Sequence, residues 1–95
     1  MKRKLNAIVI DEKDNVATAI MPLTPGQTVP LEIHGRTENI IIQSFIPQGH
    51  KFALREIELG ADVIKYGEPI GQATALIARG EHIHIHNVVS HGKKG

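Results

Sequence analysis

Apolar residues in this chain fall into short runs broken by glycine or proline, and no stretch keeps a helical period for three turns. Leu5 to Ile10 and Val16 to Met21 read as a hairpin around the polar turn Asp11-Glu12-Lys13-Asp14-Asn15, with Pro22 ending the second strand. Leu31-Glu32-Ile33 and Ile40-Ile41-Ile42 read as strands around His34 to Asn39, and the isoleucine triplet suggests burial on both faces. Val63 to Tyr66 is a strand, followed by a glycine-proline turn and a further strand start at Ile70. Lys51 to Ile57 and Ala73 to Ile77 fit either a strand or a helical turn. The expected fold is mostly β, built of short strands and hairpins with one or two short helical turns.

One pattern recurs: an aliphatic residue, a glycine three later, and an apolar residue three after that. It occurs at Leu23-Gly26-Val29, Ile46-Gly49-Phe52, Ile57-Gly60-Val63 and Ile77-Gly80-Ile83. A docked aliphatic residue, a glycine at positive φ and a strand launched back into the fold would produce it. The spacing between copies is irregular, which excludes a solenoid.

The last corner launches Gly80-Glu81-His82-Ile83-His84-Ile85-His86-Asn87. On a strand, His82, His84 and His86 share one face, while Ile83 and Ile85 anchor the other. Neighbours on that face stand roughly 6.6 Å apart, and His82 and His86 about 13 Å. An adjacent pair can lean onto one ion, with a further ligand from elsewhere; all three reach it only if the strand bends. His84 neighbours both others and is the expected centre of the row. The competing reading is a solvated hairpin face.

Ninety-five residues make one modest domain, here residues 1–91 with a tail at 92–95. Aromatics are limited to Phe45, Phe52 and Tyr66, so the core is aliphatic. A net charge of +1 argues against nucleic acid, and no apolar run approaches a membrane span. The basic Met1 to Lys4 and Lys93-Lys94 are short clusters at the ends. Absence of cysteine removes disulfide and thiolate chemistry, and no secretory signal is visible, so a cytoplasmic protein is expected. There is no phosphate loop and no nucleophile elbow. Beyond the histidine row, the polar residues near the corners are His50 and Lys51 after Gly49, and Lys65 and Tyr66 before Gly67. A lysine there can neutralise an anion and a tyrosine can donate a proton; both also fit ordinary surface positions.

Gly49 to Leu54, Val63 to Ala73 and Gly80 to Asn87 together resemble the SAF domain of altronate dehydratases and the small subunit of sulfolactate sulfo-lyase. The resemblance covers nearly the whole chain and is strongest from Gly49 to Asn87. It implies a β-clip fold and a place in a sugar-acid lyase system, with a large catalytic portion fused behind this domain or present as a separate subunit. On that reading the chain is a small subunit that pairs with a large one. The implied reaction removes water or sulfite from a 2,3-substituted acid, with loss of the proton beside the carboxylate. The implied cofactor is a divalent metal, iron or manganese, with zinc also compatible. The resemblance assigns His82, His84 and His86 to the metal, Asn87 to the substrate, and His50, Lys51, Lys65 and Tyr66 to carboxylate binding or proton transfer. A stand-alone homologue, a carbohydrate- or partner-binding module and a structural domain whose histidines do nothing are the alternatives, and a homo-oligomer is compatible with the reading.

Overall fold

A computed structural model describes residues 5–90, so the basic ends and the tail lie outside the described residues. The described residues form nine short strands: β1 (Ala7–Ile8), β2 (Val16–Ala19), β3 (Thr28–Ile33), β4 (Arg36–Ile41), β5 (Lys51–Ala53), β6 (Asp62–Lys65), β7 (Glu68–Ala73), β8 (His82–Ile83) and β9 (Val88–Ser90). They form three small sheets, ordered β1-β2-β5-β8, β3-β4 and β6-β7-β9, with every pairing antiparallel. The mostly β expectation holds. Among the described residues there is no helical turn; the two ambiguous stretches form strand ends and hydrogen-bonded turns instead.

The four glycine corners are one device used four times. Gly26, Gly49, Gly60 and Gly80 have φ of 88°, 84°, 86° and 86°. In each, the residue after the glycine donates its N–H to the carbonyl three residues back: Gln27 to Thr24, His50 to Pro47, Ala61 to Glu58 and Glu81 to Ala78. Positive φ at the third position with this bond is the pattern of a type II turn. The leading aliphatic residues pair with each other: Leu23 and Ile46 exchange both backbone hydrogen bonds, as do Ile57 and Ile77. The trailing residues Val29, Phe52, Val63 and Ile83 are fully buried. Each corner therefore pins a buried apolar residue on either side of its turn. The core divides into one cluster around Leu23, Ile46, Phe52 and Ile40, and another around Ile57, Ile77, Val63 and Ile83.

Three local expectations give way. The turn between β3 and β4 is only His34-Gly35, both at positive φ, so Arg36 to Asn39 are strand rather than loop. Two consecutive positive-φ residues match the twist of the flanking strands, which is why this short turn closes a hairpin. The isoleucine triplet alternates: Ile40 and Ile42 are buried, but Ile41 points to the opposite face of the sheet and is 55% exposed. The β6–β7 turn is Tyr66-Gly67, again at positive φ, and Pro69 lies within β7 opposite a register shift between Val63 and Ile64.

Gly80 is the corner that tolerates least. A methyl group there would strike the carbonyl oxygen of Ile41, whereas nothing stands near the corresponding position at Gly26. Gly26→Ala should cost only the left-handed backbone penalty, about 1–2 kcal/mol. Gly80→Ala adds a backbone collision and should cost a further ~1–3 kcal/mol. Urea unfolding of both variants checks the difference, and equal losses would contradict this account of the corner.

Candidate metal centre

The histidine strand does not run straight. β8 ends at Ile83, and His84 to Asn87 form a turn in which Asn87 N–H donates to the His84 carbonyl at 3.1 Å. Ile85, expected as an inward anchor, sits on that turn and is 85% exposed. The physical reason is the side chain of Asn87, which is only 3% exposed. Its Oδ1 accepts the His84 N–H at 3.0 Å, and its Nδ2 donates to the His82 carbonyl at 2.9 Å. These bonds serve backbone groups that a continuing strand would offer to a neighbour. The turn draws the row together, so the rings of His82 and His86 lie 5.2 Å apart instead of on an extended ladder.

His50 completes the cluster from the neighbouring strand. β5 pairs with β8 so that Phe52 opposes His82 and Lys51 opposes Ile83. Carried one residue further, the register sets His50 opposite His84, and cross-strand partners share a face. The His50 ring stacks against His84 at 4.4 Å and against His82 at 5.0 Å. His50 Nδ1 and His82 Nε2 are 2.8 Å apart, one donating its proton to the other. One ring nitrogen from each of His50, His82 and His84 lies within 4.8 Å of the other two.

The structure thus brings His82 and His84 together with His50, and leaves His86 outside the trio with its ring against His82. His82, not His84, is the shared neighbour, touching the rings of His50, His84 and His86. Sequence reasoning placed His50 among polar corner residues and did not group it with the histidine row. The signal was available in the two corners, since Gly49 and Gly80 launch strands that pair.

The donor set suits a divalent ion. Two nitrogens on a tetrahedral ion with bonds of about 2.0–2.1 Å stand about 3.4 Å apart, so modest ring rotations from the present spacing would suffice. Ligation requires unprotonated nitrogen. Desolvation, followed by the neighbouring His50, holds His82 below the ordinary histidine value. Local desolvation and then His50 act on His84 in the same direction. Three imidazoles would leave a coordination position open, as catalytic sites require.

Lys51 is half-buried beside the trio, and burial, followed by the nearby Lys65, pushes its ammonium below the usual lysine value. It shares a cavity of about 190 Å³ with His84, Ile70, Ile83, Ile85, Val88 and Ser90. Lys65 Nζ lies 4.1 Å over the ring of Tyr66, which is 60% exposed on the β6–β7 turn. Tyr66 thus meets Lys65 rather than an imidazole. Ser44, not singled out from the sequence, accepts the His82 N–H through its Oγ at 3.2 Å.

Depressed histidine pKa values have a consequence for the metal-free protein. Below about pH 6.5 the unfolded chain takes up protons that folded His82 and His84 resist, so stability is full above that pH and falls with acidification. The urea midpoint should drop between pH 7.5 and 5, and His82→Asn should flatten that dependence. An unchanged slope in the variant would contradict it.

A family model for the altronate/galactarate dehydratase SAF domain matches residues 5–91. The altronate dehydratase of Escherichia coli K12 is 45% identical over 80 residues, and that of Bacillus subtilis 168 is 39% identical over 80. Each alignment covers 84% of this chain but only 15% of the relative, so the chain spans a small part of these enzymes. Subunit alpha of the (2R)-sulfolactate sulfo-lyase of Chromohalobacter salexigens is 43% identical over 53 residues, 56% of each chain. Among the described residues, no helix is long and apolar enough to cross a membrane. With the model matching almost end to end, the chain belongs to the altronate/galactarate dehydratase SAF-domain family.

Proposed function

We propose that this chain supplies a histidine-ligated divalent-metal edge to a lyase that removes water from a sugar acid of the altronate type. The observation that carries the reading is the trio of His50, His82 and His84, whose ring nitrogens converge from two paired strands. Iron or manganese suits the imidazole donors, and zinc does as well. A bound ion would act as a Lewis acid toward the substrate's carboxylate and hydroxyl. The rest falls to the protein. His50, His82 and His84 each present a ring nitrogen within 4.8 Å of the other two. Lys51, next to His84 in the shared cavity, pairs its ammonium with the substrate carboxylate, and Lys65 adds to the positive field. Tyr66 takes no part in this arrangement.

The remainder of the active site comes from a large lyase polypeptide, covalently joined or separate. Two features support this: the matched altronate dehydratases are several times longer, and the trio reaches the surface, with His50 and His82 half-buried and His84 on the exposed turn after β8. A second reading draws on the sulfo-lyase subunit alpha, with which this chain aligns over 53 residues, 56% of each. On that reading the leaving group is sulfite and the chain is a separate small subunit.

Co-purified with its large lyase polypeptide, the protein should hold about one divalent ion per chain and convert altronate to a 2-oxo acid. His50→Ala should lower metal affinity by more than the roughly 10–100-fold typical of losing an outer-shell partner, and activity should fall with it. Turnover of sulfolactate with sulfite release, and none of altronate, would favour the second reading. Full activity and metal content in His50→Ala would overturn the metal edge.

A further inference from the structure

We propose that Asn87 is a positioning residue: its side chain folds the histidine strand back and so sets His82 and His84 at ligand distance from His50. The inference rests on the metal reading above but names a residue that reading does not need. Alternating His82-Ile83-His84-Ile85-His86 is a strand pattern, and left to itself it would extend the imidazoles along a ladder. Asn87 prevents this with four hydrogen bonds. Its side chain bridges the His82 carbonyl and the His84 N–H, its own N–H closes the turn on the His84 carbonyl, and its carbonyl accepts the Thr74 N–H at 2.9 Å. The last bond ties the turn to the end of β7, so the fold of the second core cluster is transmitted to the histidine backbone. Both functional ends of the buried amide are committed to the residues that carry the ligands, which makes Asn87 a clamp on ligand geometry rather than a contact to substrate.

No other residue type does this at the same size. Alanine removes both arms. Aspartate keeps an acceptor for the His84 N–H but presents an oxygen to the His82 carbonyl, which needs a donor. Asn15 offers a matched control: its amide also bridges backbone groups, accepting from Ile64 N–H and donating to the Asp62 carbonyl, yet it holds the β1–β2 turn against β6.

The test uses the full chain titrated with cobalt(II) alone, read by visible absorption, alongside urea unfolding and ring-to-ring NOEs between His50 and His84. Asn87→Ala should bind cobalt roughly 10–100-fold more weakly with a changed spectrum, and should lose the His50–His84 NOEs. Asn87→Asp should fall between Asn87→Ala and the unsubstituted protein. Asn15→Ala should lower the urea midpoint while leaving affinity and spectrum unchanged. Folded Asn87→Ala with unaltered cobalt binding, spectrum and NOEs would overturn the proposal. Should Asn87→Ala not fold, unaltered binding in Asn87→Asp would overturn it equally. If the unsubstituted protein takes no cobalt, the metal reading fails by itself, and loss or retention of the NOEs still decides whether Asn87 sets the ring geometry.

Discussion

The antiparallel pairing of β5 with β8 fixes which rings can meet. It sets Phe52 opposite His82 and Lys51 opposite Ile83, and a slip of one residue would send every imidazole to the other face. Two buried side chains hold that register, Phe52 in one core cluster and Ile83 in the other. Two glycine corners hold it from the ends: Gly49 N–H donates to the Ala19 carbonyl and Gly80 N–H to the Ala53 carbonyl. Because both strands are so short, the corners rather than long ladders carry the alignment. The histidine site is thus a by-product of how corners are docked, and damage to a distant glycine would reach it through the backbone.

The corners were readable in the sequence because each needs a fixed triplet: an aliphatic residue to dock, a glycine to turn, an apolar residue to bury. Those demands are local, and residue identity states them directly. The histidine face was readable for the same reason, since alternation is a local signal. What was not readable was where alternation stops. His84 to His86 look like strand, but a turn forms there, closed by Asn87 N–H on the His84 carbonyl and bridged by the Asn87 side chain to His82 and His84. His50 was hidden for a different reason. It lies 32 residues from His82, and the contact depends on a pairing between strands of three and two residues that propensity cannot choose. The helical turns expected near Lys51 and Ala73 fail because those stretches are claimed by cross-strand bonds, such as Ala53 N–H to the Glu81 carbonyl.

The surroundings of the trio are consistent in sign. Desolvation, the neighbouring histidines and Lys51 all hold His82 and His84 toward the neutral form. The cavity beside Lys51 is walled by Ile70, Ile83, Ile85 and Val88, so the ammonium and His84 are the polar points of a largely apolar hollow, with Ser90 at its edge. The chain spans only 15% of the altronate dehydratases it matches, and Ile85 stands exposed on the turn that carries His84 and His86.

The most direct measurement of the central claim is an anomalous difference map from crystals of the full chain grown with zinc. The account predicts one peak bonded to ring nitrogens of His50, His82 and His84, with His86 outside the coordination sphere. A peak held by His84 and His86 without His50, or no peak near these rings at full zinc occupancy elsewhere, would contradict it.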